Sequence, residues 1–211
     1  GRTALGDDEC HRARSRMMHV VDATTLWKDR TGWEAKTGVA DAYLAQSGLT
    51  GAPATSDEET EYFNDLGDKW HMMGQYFKLY PVCRWAQPAV EAAAALKQEH
   101  GFLANDIRSI RIETFHEGKR LAVGKPNSSD EAQYNLPFSV AAFLVCDTLG
   151  PKQVTGAGLN NPDVLNTMDK ITVTVEQTFN ARFPSERLAS GISPVHGCPT
   201  VTLADTPALR S

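Results

Sequence analysis

What the sequence lacks excludes most of the familiar functional classes. Its four cysteines, Cys10, Cys83, Cys146 and Cys198, form no C-x-x-C pair. That argues against a zinc ribbon or a thioredoxin-type motif. Scattered cysteines in a chain of 211 residues suit a reducing, cytoplasmic setting. No uncharged run reaches the roughly 18 residues that a membrane span needs, and the opening GRTALGDDECHRARSR is too charged for a secretory signal. There is no basic run: Lys and Arg number 21 against 26 Asp and Glu, for a net charge of −5. Neither nucleic acid nor membrane is therefore an expected partner. An anionic small molecule remains compatible, because a local cationic pocket can sit in an acidic protein. A Gly-rich phosphate loop, H-E-x-x-H, G-x-S-x-G, an EF-hand loop and internal repeats are all missing.

What is present reads as helices with few, well-spaced strands, an α+β pattern. A first helix is expected over Glu9–Val21. A second, about Trp33–Ser47, has small and apolar residues at helical spacing, a Gly38 that asks for close backbone packing, and Gly48 as its stop. Tyr62–Trp70 reads as a short helix and His71–Tyr80 as extended. Pro88 opens an alanine-rich helix whose Ala89, Ala92, Ala93 and Leu96 suit a tightly packed face, with Gly101 at its end. The run from Ser109 to His116 alternates as a half-buried strand, with Ile107 out of register. Lys119–Val123 reads as a short strand or a loop. Asn127–Asp130 is a loop and cap. Pro137 delays or kinks the apolar helix within 131–149, in which Leu136, Val140, Phe143 and Leu144 are core candidates and Cys146 a small buried hydrophobe. Two short helices, over Pro151–Gly158 and Pro162–Met168, precede Ile171–Glu176, the clearest strand. The tail from Ala189 is rich in Pro, Gly, Ser and Thr, with Pro199–Leu203 its one strand-like run.

Chemistry concentrates in Gln75–Leu96, QYFKLYPVCRWAQPAVEAAAAL. Polar side chains packed just before a helix N-terminus can form an anion site, because the first free N–H groups and the helix dipole point back at them. The same stretch also reads as a strand-to-helix corner with Tyr80 and Trp85 in the core and Lys78 and Arg84 solvated. Lys28, beside Asp29, Arg30 and Trp33, reads by itself as a surface lysine paired with Asp29.

Several stretches in order resemble the MmgE/PrpD family, which includes 2-methylcitrate dehydratase, cis-aconitate decarboxylase and iminodisuccinate epimerase. LWKDRTGWEAKTGVADAYLAQSGLTGAP is similar to its Lys-containing segment, small-residue helix and G-x-T-G-A-P turn. FKLYPVCRWAQPAVEAAAAL is similar to its K-x-Y-P-x-C-R segment. DEAQYNLPFSVAAFL resembles its A-Q-x-S-L-P helix, and NARFPSERLA the segment after its small-domain strand. The resemblance runs over roughly 9–189.

The resemblance implies a large all-helical domain and a smaller α+β domain with the active site in the cleft between them. Residues 1–55 would be the C-terminal part of the helical domain, 56–205 the small α+β domain and 206–211 a tail. It implies a di- or tricarboxylate substrate and no metal or organic cofactor. It assigns Lys28 and Lys78 to catalysis and Tyr80, Cys83, Arg84 and Gln87 to the substrate wall. Some members carry His where Gln87 stands. The family's catalytic Asp and His come from an earlier helical segment, so the chain is expected to be an interior fragment, a truncated product or one subunit of a split enzyme. A homo-oligomer, or a complementing helical-domain chain, is the expected assembly, and a non-catalytic subunit is the alternative role.

Overall fold

The computed structural model describes residues 4, 8, 17–24, 31–53, 64–192 and 201–204. The fold is α+β, as the spacing of the helical and strand-like runs implies. The chain divides into two compact units, one of residues 1–20 with 27–75 and the other of 21–26 with 76–211. The expected boundary at 55/56 falls within 54–63, outside the described residues.

In the first unit, helix α2 (Thr31–Gln46) follows α1 (Met17–Asp22), whose last two residues belong to the second unit. Residues 9–16 of the first expected helix lie outside the described residues. Helix α2 ends where Gly48 was expected to stop it, at φ +97°. Among the described residues, a Cβ at Gly38 would find only Asp8 Oδ1, 3.9 Å away, and no backbone atom within 4 Å. Of the expected Tyr62–Trp70 helix, 62–63 lie outside the described residues and 64–68 is a run of turns, and the expected extended segment begins with a 3-10 turn, His71–Gly74. Leu66, Trp70, Met72 and Met73 in this run are exposed. Without an apolar face to bury, a helix this short has nothing to hold it.

The second unit is built on a four-stranded sheet in the order β2-β1-β3-β4. Strand β1 (Ile110–Thr114) begins late. Ile107 precedes it after a 3-10 turn, Ala104–Asp106, and is buried on its own account. Within β1, Ile110, Ile112 and Thr114 alternate inward as a half-buried strand requires. It pairs in parallel with β2 (Ile171–Val175), Ile110 opposite Ile171, and antiparallel with β3 (Leu188–Ile192), Thr114 opposite Ala189. Strand β4 (Val201–Ala204) completes the sheet against β3.

Helix α3 (Gln87–His100) packs across β3 and β4. Its Ala89, Val90, Ala92, Ala93 and Leu96 are buried. The small side chains let the helix sit close to the sheet: a Cβ on Gly191 of β3 would come within 3.0 Å of Leu96 Cδ1. Helix α4 (His116–Lys119) takes only the first residue of the expected Lys119–Val123 segment, and 120–123 is the loop among the two forms expected there. Helix α5 (Ser129–Gln133) is capped by Ser128, which accepts from the Glu131 N–H. Helix α6 (Leu136–Cys146) starts late for the reason Pro137 predicts: in the first turn its missing N–H would have had no partner. Buried Asn135 caps it, accepting from the Phe138 N–H at 3.0 Å and donating to Gly124 O at 2.7 Å. At its far end Lys97 Nζ donates to Leu144 O at 2.7 Å, a cation on a helix C-terminus. Leu136, Val140 and Leu144 are buried and Phe143 half-buried. Cys146 is half-buried too, and burial pushes its thiol up, as suits an inert side chain.

Helix α6 packs on α3 and on α7 (Pro162–Met168). The expected 151–158 helix is instead turns followed by a 3-10 segment, Gly156–Asn160. Helix α8 (Gln177–Arg182) follows β2. Phe115, Phe179 and Leu188 form a second buried cluster with Trp85 and Phe183 against it. Phe115 and Phe183 stack at 4.6 Å, with Trp85 edge-on to both.

Candidate functional site

The segment singled out by its chemistry runs from an extended piece, 75–78, through a bend at 79–82 and a 3-10 turn, Arg84–Ala86, straight into α3. Pro81 and Pro88 bracket it. A bend between prolines and a tightly packed helix keeps its form only if its polar backbone finds partners, since 79–83 belongs to no helix or strand.

Those partners come from three elements. From the buried first turn of α3, Gln87 Nε2 donates to Tyr80 O at 3.3 Å and to Val82 O at 3.4 Å. One turn further on, Glu91 Oε1 accepts the Tyr80 hydroxyl at 2.5 Å. From the end of α5, Gln133 O accepts the Cys83 N–H at 2.7 Å. From α6, Phe143 meets the Tyr80 ring edge-on, centroids 5.9 Å apart.

Lys78 is exposed, with no hydrogen bond or ion pair to another described residue. Arg84 is half-buried and lays its guanidinium over the Tyr76 ring, 4.2 Å from the centroid. That contact holds the cation in place through the ring's quadrupole. Cys83 is half-buried and outside any disulfide. Tyr80 is half-buried, and burial, then the Glu91 hydrogen bond and charge, push its hydroxyl above the ordinary tyrosine range.

Two cations and one thiol therefore belong to the same short segment. Tyr80 and Gln87 do too, but in this arrangement the phenol proton and both amide protons go to the protein itself, leaving none for a carboxylate. Lys28 lies outside the described residues. Three residues escaped the sequence reading: Tyr76 beneath Arg84, Glu91 at the tip of Tyr80, and Gln133 beside Cys83. A signal existed for Glu91. It stands four residues after Gln87 on a helix otherwise lined with alanine, so both polar side chains share one face.

A groove of about 300 Å³ elsewhere in this unit is lined by Asp22, Lys125 and Glu131 among others. Its charges are already satisfied: Asp22 pairs with Arg120, Lys125 with Asp169 at 3.0 Å, and Glu131 accepts from the Asn127 N–H at 2.6 Å. Among the described residues no three His, Cys, Asp or Glu side chains converge as a metal site, and no helix is long and apolar enough to cross a membrane.

The family model for the MmgE/PrpD C-terminal domain matches residues 80–203, more than half of the chain. No curated protein matches it.

Proposed function

The chain belongs to the MmgE/PrpD family, and from that membership we propose a lyase or epimerase function on a di- or tricarboxylate. In a dehydratase or an epimerase the reaction begins with removal of a proton alpha to a carboxylate. The electron pair left behind spreads into that carboxylate, which gains charge as the transition state is approached. Fixed cations aimed there stabilise the transition state more than the ground state. Loss of hydroxide as water completes a dehydratase reaction, and reprotonation on the opposite face an epimerase reaction. In a decarboxylase, loss of carbon dioxide supplies the carbanion's electron pair.

One observation carries this reading: an exposed Lys78 and a ring-supported Arg84 on the rigidly bonded segment that leads into α3. Lys78 supplies a mobile point charge, and Arg84 a planar fork suited to two carboxylate oxygens. Cys83 lies between them in sequence as a polar wall residue. Tyr80 and Gln87 keep a place in the proposal as supports of that wall. Lys28 is retained as a second catalytic cation on the likeness of its LWKDRTG segment to the family. The proposal assigns the proton-abstracting base to the family's helical-segment Asp and His, supplied with or alongside this chain.

The test is turnover of methylcitrate, cis-aconitate and iminodisuccinate by the chain alone and in its assembly with a helical-domain chain. In an active assembly, Lys78→Ala should lower kcat by about 10²–10³ with the fold intact, the size of losing one transition-state donor. Full activity in that variant sinks the assignment.

A second reading is favoured by exposed apolar side chains: a subunit whose role is association with a second copy or completion of another chain's active site. On α2, Val39 and Tyr43 are 60% and 67% exposed, and on the approach to the candidate site Met73 and Phe77 are 82% and 78% exposed. Large apolar side chains exposed in this way favour association with a partner.

A further inference from the structure

We propose that Glu91 is a positioning residue that locks the Lys78–Arg84 segment onto α3 through the hydroxyl of Tyr80. The purpose of that lock rests on the carboxylate reading above; the lock itself rests on geometry alone.

Tyr80 has one proton to donate and gives it to Glu91 over 2.5 Å. A phenol hydrogen bond to a carboxylate is charge-assisted and stronger than a neutral one. Both side chains are half-buried, so water competes less for the acceptor. The Tyr80 ring is clasped edge-on by Phe143, so the hydroxyl cannot swing away without giving up that contact.

The neighbouring bonds are weaker. The two from Gln87 are 3.3 and 3.4 Å long, at the far end of hydrogen-bond range. They grip backbone carbonyls on either side of Pro81. The Cys83 N–H is held separately by Gln133 O at 2.7 Å. Of the hydrogen bonds that anchor the segment upstream of Cys83, the Glu91 bond is therefore the short one. Release of Tyr80 leaves Lys78 between the long Gln87 bonds and the Arg84–Tyr76 ring contact. Arg84, held by Tyr76 and close to the Cys83 anchor, is less affected. Glu91 itself faces Tyr80 and acts on a bound anion only through it.

The experiment uses the full chain and compares wild type with Glu91→Gln, Glu91→Ala, Tyr80→Phe and the Tyr80→Phe/Glu91→Ala double variant. Backbone order parameters are measured residue by residue by 15N relaxation, and citrate binding by calorimetry. Glu91→Gln keeps an acceptor for the phenol. Glu91→Ala should lower the order parameters of the 76–80 amides toward the flexible range, below about 0.6, with α6 and β1 unchanged. Glu91→Gln should return most of that order, and the double variant should be no worse than either single one. Citrate affinity should fall about tenfold in Glu91→Ala and recover in Glu91→Gln.

The lock is overturned by unchanged 76–80 order parameters in Glu91→Ala, by a loss of order that is equal in α6 and β1, or by Glu91→Gln behaving as Glu91→Ala. Should Glu91→Ala fail to fold, Tyr80→Phe carries the same comparison, since it removes only the donor. Absence of citrate binding by wild type overturns the carboxylate reading, while the order parameters decide the lock independently.

Discussion

The Tyr80 hydroxyl is held above the ordinary tyrosine range, first by burial and then by Glu91, and this links the site to alkaline stability. An unfolded phenol ionises near pH ~10, and the folded one ionises higher. Between those values the unfolded state binds fewer protons, so stability falls as pH rises. The stabilising contribution is complete below about pH 10 and is lost as pH climbs through the folded value. Urea unfolding at successive pH values above 10 should therefore show a decline that is shallower in Tyr80→Phe. An identical slope in the two proteins would mean that Tyr80 ionises as freely folded as unfolded. Lys78 and Arg84 could be singled out from the sequence as cations before a helix start, in a stretch that reads equally as a solvated corner, and the structure leaves Lys78 exposed and Arg84 half-buried. Tyr80 and Gln87 were read as substrate contacts because a sequence shows donors and not where the donors point. The residue that takes the phenol proton lies eleven positions on, and only the turn of α3 brings it back.

Among the elements, α2, α3, α6, β1 and β2 were legible from periodicity, prolines and caps, all local signals. Strand β3 was not. Its sequence, LASGI, is poor in the branched and aromatic residues that mark strands. Its small residues are there because α3 lies on top of it: Ala189 and Ser190 are buried, and Gly191 faces Leu96 and Ala92. Pairing with β1 on one side and β4 on the other makes it a strand. The 3-10 segment Gly156–Asn160 was misjudged for a related reason. A Cβ on Gly158 would lie 2.2 Å from Lys152 O and 2.6 Å from Gln153 O. Both are backbone atoms that cannot rotate aside, so the turn exists only with glycine there. Gly158→Ala should cost about 2–3 kcal/mol in chemical denaturation, in the range of overpacked sites. A loss below about 0.5 kcal/mol, typical of unconstrained surface positions, would show that the turn can relax.

At the scale of the whole molecule, the exposed apolar side chains of Trp70, Met72, Met73 and Phe77 stand within one short run. A run like this, if uncovered in solution, drives association through its apolar area. Light scattering coupled to sizing should find a mass above that of one 23.1 kDa chain, and Met73→Ser with Phe77→Ser should shift it toward the monomer. A wild-type protein that stays monomeric at high concentration removes the association reading. The α+β class was legible at this scale because fold class depends on the number and spacing of elements.

The parallel pairing of β1 with β2 has a consequence for the order in which the protein assembles. The chain between them, 115–170, must close a large loop before the first of those ladder bonds can form. The Cys83–Gln133 bond closes a loop of its own, with a separation of 50 residues against 61 for Ile110 and Ile171. The far end of the candidate wall thus waits on a closure about as long as that of the β1–β2 ladder, while the bonds of α3 are all local. Pulse-labelled refolding should show the Cys83 amide gaining protection together with the β1–β2 amides and after those of α3. Protection of Cys83 alongside α3 would mean that the wall is assembled locally, before the sheet exists to support it.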